Sequence, residues 1–133
     1  MKVLSIGNSF SQDAHKWIHK LAKQNGIDIQ TLNLYIGGCS LERHWSNIQT
    51  NAEAYDFEPN GILTNWQISI ERALKLTEWD VVTVQQVSHH SGSAACHFGG
   101  ILCLQSLCGV CDESFPFADQ LENACAGDTF DTA

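Results

Sequence analysis

A chain of 133 residues makes one ordinary domain, and 44% hydrophobic with 17% charged residues is the balance of a globular protein. About two-thirds of the surface of an unfolded chain this long can be buried, so a core forms without disulfide staples. No apolar run reaches the roughly 18 residues that cross a bilayer. The opening MKVLSIGNSF turns polar too early for a secretory h-region, so a cytoplasmic protein with no membrane partner is expected.

Residues 2–6, KVLSI, read as a short buried strand closed by Gly7-Asn8. Ala14, Trp17, Ile18, Leu21 and Ala22 then recur at helical spacing and predict a helix buried along that stripe, ended by Asn25-Gly26. Residues 27–36 alternate as a second strand, and Gly37-Gly38 stops it. Leu41, Trp45, Ile48, Ala52 and Tyr55 predict a second helix. Glu58-Pro59-Asn60-Gly61 is a turn, because Pro presets φ and Gly allows it to be positive. An extended piece through Trp66 leads to a helix over about 69–77, and 81–86 is the last strand. The order β-α-β-α-(extended)-α-β favours an α/β sandwich on a parallel sheet.

Charge and cysteine are unevenly spread. All seven Lys and Arg fall in residues 1–75, balanced by seven Asp and Glu, whereas residues 76–133 hold eight acidic groups and no basic one. Such an acidic surface repels phosphates and argues against a nucleic-acid partner. Five of the six cysteines (Cys96, Cys103, Cys108, Cys111 and Cys125) lie in the last 38 residues. The expected organisation is therefore an α/β part over 1–92 and a divergent, Cys-rich acidic tail over 93–133. Cys108-Gly109-Val110-Cys111 has redox or zinc spacing, but only one such pair exists, so no metal and no cofactor is expected.

In parallel α/β sheets, ligands bind beyond the carboxyl ends of the strands. Three loops qualify: 7–11, 37–40 and 85–92. Ser9 lies where a strand becomes a helix, so its hydroxyl can project while helix-start amides face an oxyanion. The competing structural role is an N-cap at Ser9, with Gln12 completing a capping box. Asn8 is expected to form the turn and hydrogen-bond the loop. His15, His19 and His44 fall on helix patterns and are expected at or near the surface. Trp17, Trp45, Trp66 and Trp79 are expected to pack.

These residues resemble a known family. The first strand with Gly7-Asn8-Ser9-Phe10-Ser11 is similar to the first block of the SGNH (GDSL-like) hydrolases, with Asn8 where Asp is commoner. Gly38 matches their second block, and 79–92, WDVVTVQQVSHHSG, is similar to the third, with Val87 in place of a glycine. The third block most resembles that of an uncharacterised bacterial subgroup. The resemblance covers about residues 2–92. It implies a three-layer α/β/α sandwich of flavodoxin-like kind and a serine esterase acting on acyl or acetyl esters, including those of carbohydrates. Ser9 would be the nucleophile, with the Gly38 N–H and the side chain of His89 or Gln86 as oxyanion donors. The family's late D-x-x-H motif occurs nowhere in the sequence. That absence points to the amino-terminal part of such a hydrolase joined to an unrelated end, as a truncated or frame-altered gene would produce. The alternative is a non-catalytic α/β remnant whose tail docks a partner or binds metal. An edge strand left open would favour self-association.

Overall fold

The computed structural model describes residues 1–90; the expected Cys-rich tail and its C-x-x-C pair lie outside the described residues. The elements are β1 (Lys2–Gly7), α1 (Ser9–Gln24), β2 (Gln30–Tyr35), α2 (Leu41–Gln49), β3 (Tyr55–Pro59), β4 (Gln67–Ile68), α3 (Ile70–Leu74) and β5 (Val81–Val84). A 3-10 turn over Ser88–His90 follows. The five strands form one sheet in the order β4-β3-β2-β1-β5. No helix among these residues is long and apolar enough to cross a membrane.

The α/β class matches the expectation, but the sheet is mixed. β1 pairs parallel with β2 and with β5, whereas β2–β3 and β3–β4 are antiparallel. The predicted second helix stops early: α2 ends at Gln49, Asn51 takes a left-handed φ of 48°, and Tyr55 opens a strand instead of closing the helical stripe. Tyr55 lies fourteen residues after Leu41, a spacing that suits helix and strand patterns alike.

The two faces of the sheet differ in chemistry. Leu4, Ile6, Leu32, Leu34, Tyr55 and Ile68 share one face and bury against Ile70 and Ala73 of α3, with Ile48 of α2 alongside. On the other face the register aligns Thr83, Ser5, Asn33 and Glu58 in a row across four strands. Helix α1 lies over this polar row. Thr83 Oγ1 donates to Ser5 Oγ (2.8 Å), which pairs with His15 Nε2 (2.8 Å). Asn33 Nδ2 donates to Glu58 Oε2 (2.7 Å), and Gln12 Nε2 of α1 donates to Glu58 Oε1 (2.6 Å). Ser5, Asn33, Glu58 and His15 are all buried, so these bonds carry weight that they would lack in water.

The polar row reverses the expected orientation of α1. His15 and Ala22 face inward, with Ser11, Gln12 and His19 half-buried beside them. The apolar stripe expected in the core points away from the sheet: Trp17 is 57%, Leu21 55% and Ile18 37% exposed. A hydrophobic period identifies a helix, but the hydrogen-bonding groups on the strands decide which side it turns inward. Among the described residues, Val3, Ala22 and Ile29 form a small apolar cluster on this face. His15 and His44, expected near the surface, are buried at 4% and 0% exposure. Trp66 is 73% exposed instead of packed, although its ring tilts against Phe57.

Helix α1 is also held from the β3–β4 loop. Gly61 has φ +75°, and a Cβ there would meet the His15 carbonyl oxygen and lie 3.2 Å from the Lys16 Cα. Gly61→Ala combines backbone strain with a clash against helix backbone, and a loss of about 1–3 kcal/mol is expected. Urea unfolding of the two proteins, followed by circular dichroism, measures it; an unchanged midpoint would contradict the close packing.

Candidate functional site

The carboxyl ends of the parallel strands β1, β2 and β5 lie at one end of the sheet, and three loops leave from them. Asn8 joins the loops. It is 1% exposed and is the N-cap of α1, its Oδ1 accepting from the Phe10 N–H (3.2 Å). Its Nδ2 donates to the carbonyls of Cys39, in the loop after β2, and Gln86, in the loop after β5, both at 3.3 Å. The two glutamines after β5 brace the same corner. Gln85 Oε1 accepts from the Ser11 N–H (2.9 Å) and the Asn8 N–H (3.4 Å). Gln86 Oε1 accepts from the Leu41 N–H (3.0 Å) and the Val87 N–H (2.9 Å). Gly7 leaves room for this arrangement, since a Cβ would collide with the Ser11 side chain and sit 2.9 Å from Gln85 Oε1.

Ser9 follows Asn8 as the first residue of α1. It is exposed, and its hydroxyl has no hydrogen-bond partner among the described residues. The capping-box alternative is thereby corrected: Asn8 caps the helix, and the Gln12 side chain is engaged with Glu58. Gly38 is exposed with φ +61°, and a Cβ there would find nothing within 4 Å. Its N–H has no partner among the described residues, while the next amide, Cys39 N–H, closes the turn onto the Ile36 carbonyl at 3.3 Å. A hydroxyl and a free amide thus stand on adjoining loops stitched together by one buried side chain.

The remaining expected site residues lie on the third loop. Gln86 uses its oxygen to hold the loop after β2. His89 is exposed and His90 half-buried, on the 3-10 turn after β5. Their rings meet edge to face at 4.3 Å between centroids. Neither ring bonds to Ser9.

Sequence reading missed a buried group beneath the second loop. His44 Nδ1 lies 2.8 Å from Tyr55 Oη and 3.5 Å from Cys39 Sγ, and Asn47 Nδ2 donates to the same phenol oxygen (3.3 Å). The rings of His44 and Tyr55 stack. Burial lowers the His44 pKa to about 4, Arg43 adding to the effect, while the Gln85 carbonyl works in the opposite direction. That carbonyl does not reach hydrogen-bond geometry, so Nε2 stays buried without a partner. Burial also pushes the Cys39 thiol up to about 11 and raises the Tyr55 phenol well above its usual range. The available signal was the spacing Leu41–His44, i and i+3, behind the N-cap Ser40, which puts both on the inward side of α2.

The fold and loop corner define an α/β protein with a serine at the mouth of three strand-end loops. The family model described as a domain of unknown function (DUF4886) matches residues 2–98, and the chain belongs to that family. A DUF4886 family protein from Bacteroides uniformis, known from a crystal structure, is 41% identical with a TM-score of 0.73. The match covers 80% of this chain and 43% of that one, so this chain spans less than half the length of that relative. No curated protein matches the chain.

Two measurements probe the corner. Asn8→Ala removes the helix cap and both loop ties, and a loss of about 2–3 kcal/mol in urea unfolding is expected, beyond the roughly 1 kcal/mol of a cap alone. The second concerns His44. Its folded pKa lies below the unfolded value of 6.5, so the unfolded chain binds the proton first on acidification. Its contribution is complete above pH 6.5 and is lost as the pH falls toward 4. The difference in unfolding free energy between the native protein and His44→Gln should narrow across that window, and a constant difference would contradict it.

Proposed function

We propose that the chain is a serine hydrolase of the SGNH (GDSL-like) type, acting on acyl or acetyl esters, those of carbohydrates included. The finer fold that goes with this reading is a three-layer, flavodoxin-like α/β/α sandwich. One observation carries it: the unpartnered Ser9 hydroxyl at the start of α1 adjoins the loop that offers the free Gly38 amide. Ser9 Oγ would attack the ester carbonyl, forming a bond to carbon while the carbonyl oxygen takes up the negative charge. The amide at the helix start and the Gly38 N–H would hold that oxyanion, with His89 as a side-chain donor. The serine proton passes to an imidazole and then to the departing alcohol, and water later releases the acyl group from Ser9. His89 and His90 are the histidines on the loop at this end of the sheet.

The second reading, a non-catalytic binding module, is favoured by the lack of any imidazole bonded to Ser9 among the described residues. Hydrolysis of p-nitrophenyl acetate by the native protein and by Ser9→Ala separates the two. The hydrolase reading expects the variant to lose at least tenfold of the protein-dependent rate, and a fluorophosphonate probe to label Ser9. Equal rates together with no labelling would leave only the binding module.

A further inference from the structure

Asn8 ties the loops after β2 and β5 to the start of α1, and the His44 ring lies against both of those loops as well. Its Nδ1 is 3.5 Å from the Sγ of Cys39, the residue after Gly38. Its other nitrogen, Nε2, faces the Gln85 carbonyl, near enough to act on it and short of a hydrogen bond. Gln85 is fixed by its remaining groups. Its N–H donates to the Ile6 carbonyl (2.9 Å), and its Oε1 accepts from the Asn8 and Ser11 amides, which bracket Ser9. One buried ring therefore sits between the turn that carries the Gly38 amide and the turn that carries the Ser9 hydroxyl.

The bonding also selects which nitrogen of the ring carries the proton. With its pKa lowered to about 4, His44 is uncharged at neutral pH, and a neutral imidazole donates from one nitrogen and accepts at the other. The Tyr55 phenol accepts from Asn47 Nδ2 (3.3 Å), and its own hydrogen has one acceptor among the described residues, His44 Nδ1 at 2.8 Å. Tyr55 is fully buried, so a proton on Nδ1 would strand that hydroxyl hydrogen without a partner. The far side of the ring makes the same demand, since the Gln85 carbonyl can only accept. Both neighbours thus select the tautomer protonated on Nε2. The donors run one way, from Asn47 through Tyr55 and His44 toward Gln85, which in turn gathers the first amides of α1. Stacking of the His44 and Tyr55 rings holds the plane in which Nε2 is aimed. In a buried place an N–H dipole pulls on a carbonyl across a gap that water would screen.

We propose that His44 is a positioning residue for the Ser9 and Gly38 turns, its Nε2–H drawing the Gln85 carbonyl toward α2 and so setting the spacing of the two loops. The kinetic consequence rests on the serine-hydrolase reading; the geometric content does not. A long-range proton–nitrogen correlation spectrum of the native protein at neutral pH, with His44→Gln identifying the ring signals, reads the tautomer. A proton on Nε2 is expected, and a proton on Nδ1 would overturn the proposal. Three variants follow: Gln places a donor near the position of Nε2, Asn places one near Nδ1 instead, and Leu fills the space without polar atoms. The amide shifts of Ser9, Ser11 and Gly38 should stay close to native in His44→Gln and move in His44→Asn and His44→Leu. Labelling by the fluorophosphonate probe should stay within threefold of native in His44→Gln and fall at least tenfold in the other two. Circular dichroism checks folding. Tyr55→Phe keeps the stacked ring without its hydroxyl, and it should show both tautomers and at least threefold slower labelling. Amide shifts that stay native in folded His44→Leu, or that move equally in all three His44 variants, sink the idea. A native chain that takes no label removes the hydrolase reading, and the tautomer and the amide shifts then decide the positioning role by themselves.

Discussion

The carboxamide of Asn8 is shared among three loops, and the architecture around the site depends on that sharing. Its oxygen ends a helix and its nitrogen reaches two carbonyls that belong to segments 31 and 78 residues away. A buried amide that donates twice and accepts once has little unsatisfied capacity left, so each loop holds the others in register. An aspartate at this position could cap the helix but could not donate to the carbonyls. Asn8 therefore changes which neighbours can be gathered, and the corner here is built around carbonyl acceptors.

The sheet beneath divides its work by face. The Leu- and Ile-rich face supplies the continuous apolar core. The face under α1 is held by hydrogen bonds across a polar row instead, and His15 Nδ1, Thr31 Oγ1 and Asn33 Oδ1 remain there without partners. Desolvation by burial lowers the His15 pKa. The helix that carries Ser9 is thus positioned by directional contacts, which fix its rotation and advance more narrowly than greasy packing does.

Much of this was legible in the sequence, for identifiable reasons. β1, the loop at Gly7-Asn8 and the start of α1 could be read because a β-branched run, a turn pair and a helical period succeed one another without overlap. The reversal at β3 was not legible, since the stretch to Tyr55 satisfies two periods and only pairing with β2 decides between them. The rotation of α1 escaped because an apolar stripe is normally core, and the row Thr83–Ser5–Asn33–Glu58 exists only once the register is known. Ser9 and Gly38 could be named from their places at strand ends. For His44 the i, i+3 spacing from Leu41 gives the inward side of α2, but nothing local says that its ring meets Tyr55 and Cys39 beneath the glycine loop.

Cys39 extends the picture in a different direction. With its thiol raised to about 11 and no exposure, its thiolate is scarce at neutral pH, on the order of one molecule in ten thousand. The sulfur is consequently deaf to oxidants and alkylating reagents while the turn above it stays shut. Because its neighbours are the Gly38 backbone and the His44 ring, any reagent that reaches this sulfur must first displace the glycine turn.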